Sequence, residues 1–277
     1  MKKLIFLIIV SLFVLAFGIP QDKHTANFPQ KEEFPEKLPR KENFWIFIMA
    51  GQSNMAGRGI VEPQDTVPNS RILVLNKENN WVVAKEPFHQ YQPKLTGLDS
   101  GMSFASELMK LVNDSVSIGL IPCAVGGSSV ENWLNDSLYN GVHLFSNFKV
   151  RAEIALKYGQ VKGILWHQGE SDASPGKIQL YKHKIEKLFD RFRSILGNDS
   201  IPVIMGELGS FYYPEERQAR WDSINSIIRD VAKGSKYCTS VATDDLTSNE
   251  DRIHFNAASQ RELGKRYART FWETEQK

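Results

Sequence analysis

Cysteine is scarce in this sequence: Cys123 and Cys238 are the only two among 277 residues. Both lie inside apolar, strand-like runs, where the backbone fixes Cα separations that a disulfide bridge need not match, so we expect two small buried thiols. The six histidines are scattered, and no HExxH, CxxC or paired-histidine spacing occurs. The sequence therefore predicts no metal site.

An excess of charge of one sign is also absent. The 34 Lys and Arg residues are interleaved with 32 Asp and Glu residues, which leaves a formal net charge of +2. Such a balance lacks the basic footprint of a nucleic-acid-binding protein. The chain also has neither GxGxxG spacing nor a Walker lysine, which argues against a bound nucleotide. We expect no nucleic-acid partner and no cofactor.

The apolar run at residues 4–17 is too short to cross a bilayer comfortably, and it follows two lysines. A short apolar run behind basic residues, with small residues at its end, is typical of a cleaved signal peptide. We predict a signal peptide over residues 1–18, cleaved after Gly18. The mature protein would then be secreted or periplasmic, without stable membrane association.

Residues 19–43 contain four prolines among many charged side chains, a composition that cannot build a core. We expect a Pro-rich, charged tether there. The remaining length suits one large core better than two ordinary ones, and no internal repeat occurs. A single catalytic domain is therefore predicted over residues 44–277.

Short apolar runs rich in β-branched residues are typical of buried strands. Such runs occur at residues 44–50, 71–75, 116–122, 161–167, 201–207 and 237–243. Apolar residues at helical spacing separate most of them, as at residues 178–195 and 221–231. Strands that alternate with amphipathic helices form a parallel sheet covered on both faces. The prediction is an α/β fold, a three-layer α/β/α sandwich around a parallel sheet of five or six strands.

In such sheets ligands bind beyond the carboxyl ends of the strands, so chemistry is expected in the loops that follow them. The first strand ends in GQSNMAGRG, which places Ser53 between a strand and a helix start. Backbone N–H groups and the helix dipole there favour a developing oxyanion, although a helix N-cap explains Ser53 equally well. The loop is not the GxSxG elbow of α/β-hydrolases, because Met55 stands where that motif has glycine.

The loop after the third strand, CAVGGSSVENW, contains Gly126 and Gly127. Two glycines let the backbone approach a substrate and present an N–H group, as an oxyanion hole requires. An ordinary turn, with Ser128 or Ser129 capping the next helix, explains the segment at least as well. Either serine is also a rival to Ser53 as a nucleophile.

Two further polar segments carry candidate residues. In WHQGESD, after the fourth strand, Gln168 could donate an amide N–H to an oxyanion and Glu170 could orient a histidine, while His167 is interpreted as a core histidine. Near the C-terminus, DRIHF places Asp251 three residues before His254, so one turn supplies a base and its orienting acid. Taken alone, a surface salt bridge or part of a metal site is the simpler interpretation of that pair.

Together, GQSNMAGRG, the double glycine, WHQGESD and DRIH, each after a strand and in this order, resemble the sequence blocks of the SGNH hydrolases. The best match is the sialate O-acetylesterase and acetylxylan esterase group, carbohydrate esterase family 6. The resemblance spans roughly residues 44–270, and GQSNM with HQGESD is far more specific than either block alone. It implies a flavodoxin-like fold and a cofactor-independent hydrolysis of acetyl esters on sugars.

The resemblance also implies a role for each motif residue. Ser53 would be the nucleophile, His254 the base and Asp251 the acid that orients it, with Glu170 as an alternative or supporting acid. The oxyanion would be bound by the N–H groups of Ser53 and of the double glycine, and by a glutamine side chain where the wider superfamily has asparagine. By position, these last two donors are Gly127 and Gln168.

The expected reaction proceeds through an acetyl-enzyme on an acetylated oligo- or polysaccharide, with acetylxylan, another plant polysaccharide and sialic acid all open. Two other functions stay possible: a non-catalytic glycan-binding module, and a lipase or thioesterase of the same superfamily. Aromatic side chains could line a sugar platform or a lipid cleft, although most aromatics are core residues. The candidates are Trp133, Phe211, Tyr212 and Tyr213.

Overall fold

A computed structural model describes residues 24–276, so the signal peptide predicted for residues 1–18 lies outside the described residues. The strands are β1 (Phe44–Gly51), β2 (Ile72–Leu75), β3 (Trp81–Val83), β4 (Ser117–Pro122), β5 (Leu138–Tyr139), β6 (Val142–His143), β7 (Gln160–His167), β8 (Val203–Gly206) and β9 (Cys238–Val241). The α-helices are α1 (Ser53–Ala56), α2 (Gly101–Leu108), α3 (Val130–Leu134), α4 (Leu144–Tyr158), α5 (Pro175–Leu196), α6 (Glu215–Gly234) and α7 (Ala257–Glu275).

Seven strands form the central sheet, in the order β3-β2-β4-β1-β7-β8-β9. The six predicted runs are all parallel strands of this sheet. The seventh strand, β3, pairs antiparallel with β2 at one edge and was not predicted. With three residues it is too short to show a periodic pattern, so the sheet has one strand more than the largest predicted number.

Strand β1 lies at the centre of the sheet and divides the core into two layers. Ile46 and Ile48 pack in the cluster that contains the buried faces of α3, α4, α5 and α6. The alternating residues Phe47 and Met49 pack in the opposite cluster, which contains α2 and α7. All four side chains are fully buried, as expected for a parallel strand covered on both faces. The predicted three-layer α/β/α sandwich is confirmed.

The described part of the predicted tether, residues 24–43, contacts the domain. The Val83 N–H donates to the Glu33 carbonyl at 2.7 Å, and Asn76 Nδ2 donates to Glu32 Oε2 at 2.8 Å. Farther towards the N-terminus, Asn27 Nδ2 donates to the Val61 carbonyl at 2.9 Å. Composition did not indicate these contacts, because backbone pairing along a sheet edge requires no apolar side chains.

The structure also bears on the state of the two cysteines and on membrane-spanning helices. Cys123 and Cys238 are both buried free thiols, which confirms the expectation that they do not form a disulfide. Between residues 24 and 276, no helix combines the length and apolar character needed to cross a bilayer.

The sheet order determines where the polar loops meet. Strands β4, β1 and β7 are neighbours at the centre of the sheet and run in parallel. Their carboxyl ends therefore lie side by side, and the three loops that follow them emerge at the same edge.

Candidate active site

The loops after β1, β4 and β7 open onto one cleft of about 480 Å³. Each loop contributes lining residues, among them Ser53, Gly127 and Glu170. His254, from the loop that precedes α7, completes the lining. Four segments that are far apart in sequence therefore converge on one surface.

Ser53, His254 and Asp251 form a continuous chain of hydrogen bonds. His254 Nε2 lies 2.9 Å from Ser53 Oγ, and the two residues are 201 positions apart in sequence. His254 Nδ1 lies 2.7 Å from Asp251 Oδ2, while Asp251 Oδ1 accepts from the backbone N–H groups of Ile253 at 2.8 Å and His254 at 3.0 Å. This arrangement is that of a nucleophile, a general base and an acid that orients the base.

The electrostatic environment keeps His254 neutral and Asp251 ionised near pH 7. Burial lowers the pKa of His254 below its ordinary value of 6.5, and the nearby Arg58 charge acts in the same direction, although Asp251 opposes both. Partial burial alone would raise the pKa of Asp251. The hydrogen bonds from the His254 backbone, its imidazole and a neighbouring N–H instead hold that pKa below its ordinary value. Near pH 7 His254 can therefore accept a proton.

Asn54, next to Ser53, joins the nucleophile loop to the histidine loop. Its Nδ2 donates to the Ile253 carbonyl at 3.2 Å, and its Oδ1 accepts from the Phe255 N–H at 3.0 Å. These two residues flank His254, so the Asn54 amide holds the base opposite the serine. No role was predicted for Asn54 from the sequence, although its place in the GQSN block was an available signal.

Glu170 lines the cleft but is not bonded to the base. Its Oε1 accepts from Asn54 Nδ2 at 2.6 Å, and no hydrogen bond joins it to His254 in the part of the chain that the structure describes. Burial raises the pKa of Glu170 to about 7. Of the two carboxylates considered from the sequence, Asp251 is therefore the one in contact with His254.

Two backbone N–H groups are available as oxyanion donors. The Gly126 N–H donates to Gln92 Oε1 at 3.0 Å and is therefore occupied. The N–H groups of Ser53 and Gly127 have no acceptor within residues 24–276, and both residues line the cleft. Gly127 has a φ of +79°, a left-handed conformation that glycine adopts without strain.

Gln168 does not line the cleft, although the sequence predicted that its side chain would donate to the oxyanion. Its side chain is fully buried, and its Nε2 donates to Asp172 Oδ2 at 2.7 Å and lies 3.2 Å from both Gln52 Oε1 and the Ser128 carbonyl. Asp172 Oδ2 also accepts the Val130 N–H at the start of α3. The strong buried carboxylate acceptor draws the amide inwards, so Gln168 ties three loops together instead of facing the substrate.

The rival serines have structural roles. Ser128 Oγ donates to the Gly51 carbonyl at 3.1 Å and accepts from Trp133 Nε1 at 3.1 Å. Ser129 is the N-cap of α3, where its side chain accepts from the Asn132 N–H. Neither serine contacts a histidine among the described residues, whereas Ser53 does.

His167 is a core histidine, as the sequence predicted. It is fully buried, and its Nδ1 lies 3.3 Å from the Tyr267 hydroxyl. Burial lowers its pKa to about 3, so it stays neutral. Residues 24–276 contain no group of three or more His, Cys, Asp or Glu side chains that could hold a metal ion.

Arginine and aromatic side chains also line the cleft. Of the four aromatic residues considered from the sequence, Tyr212 alone lines it, stacked on Trp221 with ring centroids 4.5 Å apart. Three arginines, Arg58, Arg217 and Arg220, are among the lining residues. The sequence did not indicate that they meet, because Arg58 lies in the GQSNMAGRG block whereas Arg217 and Arg220 lie far away in α6.

A family model described as carbohydrate esterase, sialic acid-specific acetylesterase, matches residues 43–273. The chain belongs to this family. The family resemblance of the four sequence blocks is confirmed. This carbohydrate esterase is thus a carboxylic ester hydrolase.

Relatives of this carbohydrate esterase agree in sequence and in fold. A protein of Arabidopsis thaliana named "Probable carbohydrate esterase At4g34215" is 31% identical over 263 residues, or 87% of this chain and 94% of the relative. Its X-ray structure matches with a TM-score of 0.74 and 29% identity, over 84% of this chain and 98% of that one. NanS matches with a TM-score of 0.71 over 87% of this chain and 99% of that one, and at 15% identity it supports the fold alone.

Proposed function

We propose that this carbohydrate esterase removes acetyl groups from sugars by nucleophilic attack of Ser53, through an acetyl-enzyme intermediate. The observation that carries the proposal is the hydrogen-bonded chain from Ser53 through His254 to Asp251 at the wall of an open cleft. A serine hydroxyl is a weak nucleophile until a neighbouring base accepts its proton, and this chain provides the base and fixes its orientation.

The reaction has two stages in this arrangement. His254 Nε2 accepts the Ser53 proton as Oγ attacks the acetyl carbonyl, and the N–H groups of Ser53 and Gly127 donate to the oxyanion. The C–O bond to the sugar then breaks, and His254 gives its proton to the departing hydroxyl. In the second stage His254 accepts a proton from water as the water oxygen attacks the acetyl carbonyl. The bond from the acetyl carbon to Ser53 Oγ then breaks, Oγ takes the proton back from His254, and acetic acid leaves and ionises to acetate.

The charge of the cleft supports an acidic sugar as the substrate. Arg58, Arg217 and Arg220 line it, and the single acidic side chain among the described lining residues is Glu170, whose pKa burial raises to about 7. Guanidinium groups bind carboxylates strongly and with defined geometry. An acetylated sugar that carries a carboxylate, such as sialic acid, fits this cleft better than neutral acetylxylan. We also propose export, which rests on the signal-peptide pattern of residues 1–18.

The test is Ser53→Ala, assayed for acetate release from O-acetylated sialic acid, acetylated xylan and 4-nitrophenyl acetate. We expect activity to fall about 10⁴-fold or more on every substrate with the fold unchanged, because the nucleophile is lost. Ser129→Ala is the matched control and should retain activity, since Ser129 only caps α3.

Retained activity in Ser53→Ala would show that the nucleophile is a different residue. In the wild-type protein we expect the acidic substrate to have the higher kcat/KM. A higher kcat/KM on long-chain acyl esters than on any acetylated sugar would favour a lipase or thioesterase instead.

A further inference from the structure

We propose that the side-chain oxygen of Gln92 is a positioning group for the oxyanion hole. It holds the Gly126 backbone so that the next N–H, that of Gly127, points at the reacting carbonyl. This inference rests on the proposed function, because it requires the oxyanion that forms when Ser53 attacks the ester carbonyl.

Gln92 lies in the loop between β3 and α2, outside the sequence blocks considered above. Its Oε1 accepts from the Gly126 N–H at 3.0 Å and from Arg58 Nη2 at 2.7 Å. Its own position is fixed by a turn, since its backbone carbonyl accepts from the N–H groups of Leu95 at 2.8 Å and Thr96 at 3.0 Å. The Gln92 amide nitrogen makes no hydrogen bond within residues 24–276, so the oxygen is the functional atom of this side chain.

The contact requires glycine at position 126. A Cβ on Gly126 would lie 2.2 Å from Arg58 Nη2 and 2.3 Å from Gln92 Oε1. The two side chains therefore pack directly against the bare Cα, which any other residue would prevent. Arg58 Nη1 also donates to the Gly57 carbonyl at 2.6 Å, so the pair joins the nucleophile loop to the double glycine.

The other polar groups of the double glycine are also held. The Gly126 carbonyl accepts from Asn140 Nδ2 at 3.2 Å. The Gly127 carbonyl accepts from the Tyr139 hydroxyl at 3.0 Å and from Ser171 Oγ at 2.9 Å. Among the described residues, the Gly127 N–H is thus the one backbone group of this pair left without a partner, and it belongs to a residue that lines the cleft.

Loss of the Gln92 acceptor would free the backbone on one side of Gly126. The peptide that carries the Gly127 N–H would then be held directly only at its carbonyl, by the 3.2 Å hydrogen bond from Asn140, and it could tilt because glycine has wide freedom in φ and ψ. A small misplacement of a catalytic group costs up to about 100-fold in rate. The oxyanion forms only in the transition state, so the loss should lower kcat and leave KM nearly unchanged.

The experiment compares Gln92→Leu, which removes the oxygen, with Gln92→Glu, which keeps an acceptor for Gly126 and Arg58. Gln90→Leu is the matched control on the same loop, because its amide donates only to the Pro87 carbonyl. Each variant is assayed with 4-nitrophenyl acetate at pH 8, where the base is neutral. We expect kcat of Gln92→Leu to fall about 10- to 100-fold at similar KM, Gln92→Glu to recover most of that loss, and Gln90→Leu to resemble the wild type.

Binding of a trifluoromethyl ketone, which forms a tetrahedral adduct with a catalytic serine, separates positioning from a general loss of structure. In Gln92→Leu its affinity should fall by the same factor as kcat/KM, with the affinity for acetate unchanged. Equal weakening of both ligands, a kcat within twofold of the wild type, or equal losses in the Leu and Glu variants would overturn the inference. Ser53→Ala in the same series tests the proposed function separately: if it is inactive while Gln92→Leu is fully active, the positioning role alone is wrong.

Discussion

The carboxylates of Asp251 and Glu170 have different electrostatic environments, and this difference decides which one can assist His254. Asp251 accepts hydrogen bonds from His254 and from two backbone N–H groups, so its pKa lies below the ordinary value. Glu170 accepts from Asn54 instead, and burial raises its pKa to about 7. At neutral pH Asp251 is therefore fully ionised, whereas Glu170 is partly protonated.

This contrast predicts unequal effects of two isosteric substitutions. Asp251→Asn should lower kcat about 10⁴-fold, because an amide cannot hold the productive tautomer of His254 or stabilise its imidazolium form. Glu170→Gln should cost no more than about tenfold, since its amide oxygen can still accept from Asn54 and its charge is already partly lost at pH 7. Both variants are assayed for kcat on 4-nitrophenyl acetate at pH 7. Equal losses in the two would assign Glu170 a place beside Asp251 in the catalytic chain.

At the scale of secondary structure elements, the N-terminal segment covers part of the exposed edge of the sheet at β3. Strand β3 pairs with β2 on one side, and on the other side the Val83 N–H donates to the Glu33 carbonyl. An ion pair between Lys85 and Glu33 lies beside this bond. An uncovered edge strand presents unpaired N–H and C=O groups to other chains, so this segment protects the edge.

Truncation tests the role of this segment. A variant that begins at Phe44 should have a Tm lower by roughly 5 °C or more and should aggregate faster, because it loses several hydrogen bonds that contribute about 1 kcal/mol each and exposes the edge of β3. The control begins at Gln30 and keeps the contacts of Glu32 and Glu33. Thermal unfolding and light scattering are the measurements, and an unchanged Tm in the shorter variant would mean that the segment is only a tether.

At the scale of the whole molecule, a buried acidic cluster couples stability to pH. Glu86 and Asp99 are fully buried, and His89 Nδ1 lies 2.8 Å from Asp99 Oδ2. Burial, together with the adjacent Asp99, raises the pKa of Glu86 well above its ordinary value of 4.5. The folded protein therefore holds a proton on Glu86 that the unfolded chain releases above about pH 4.5, and stability from this group falls as pH rises towards the folded pKa.

Glu86→Gln should remove this dependence, because the amide resembles the protonated carboxyl and has no proton to lose. Relative to the wild type, its Tm should therefore rise between pH 5 and pH 8. Glu107→Gln is a control with a different pH window: hydrogen bonds from Lys110 and Arg269 lower the pKa of Glu107, so its stabilising contribution is lost only as pH falls below about 4.5. Between pH 5 and pH 8 the Tm difference between Glu107→Gln and the wild type should therefore be constant. A Tm difference for Glu86→Gln that is independent of pH would contradict the assigned protonation.

Much of the architecture and part of the site could be predicted from contiguous patterns. The six apolar runs became the six parallel strands, because parallel strands buried on both faces require continuous apolar sequence. The short strand β3 and the covering segment were missed, since pairing through the backbone leaves no signature in the side chains. Ser53, Asp251 and His254 were selected as candidates through motifs, each complete within a few residues, and the structure places them in one chain of hydrogen bonds.

What the sequence by itself determined is therefore which short segments carry strands, helices and reactive side chains. The tertiary structure alone decided which of these atoms face each other. It bonded His254 to Asp251 and not to Glu170, turned Gln168 inwards to Asp172, and brought Gln92 against Gly126. The physical reason is that such contacts join residues from separate loops, and their orientation depends on burial and on competing acceptors that no local pattern encodes.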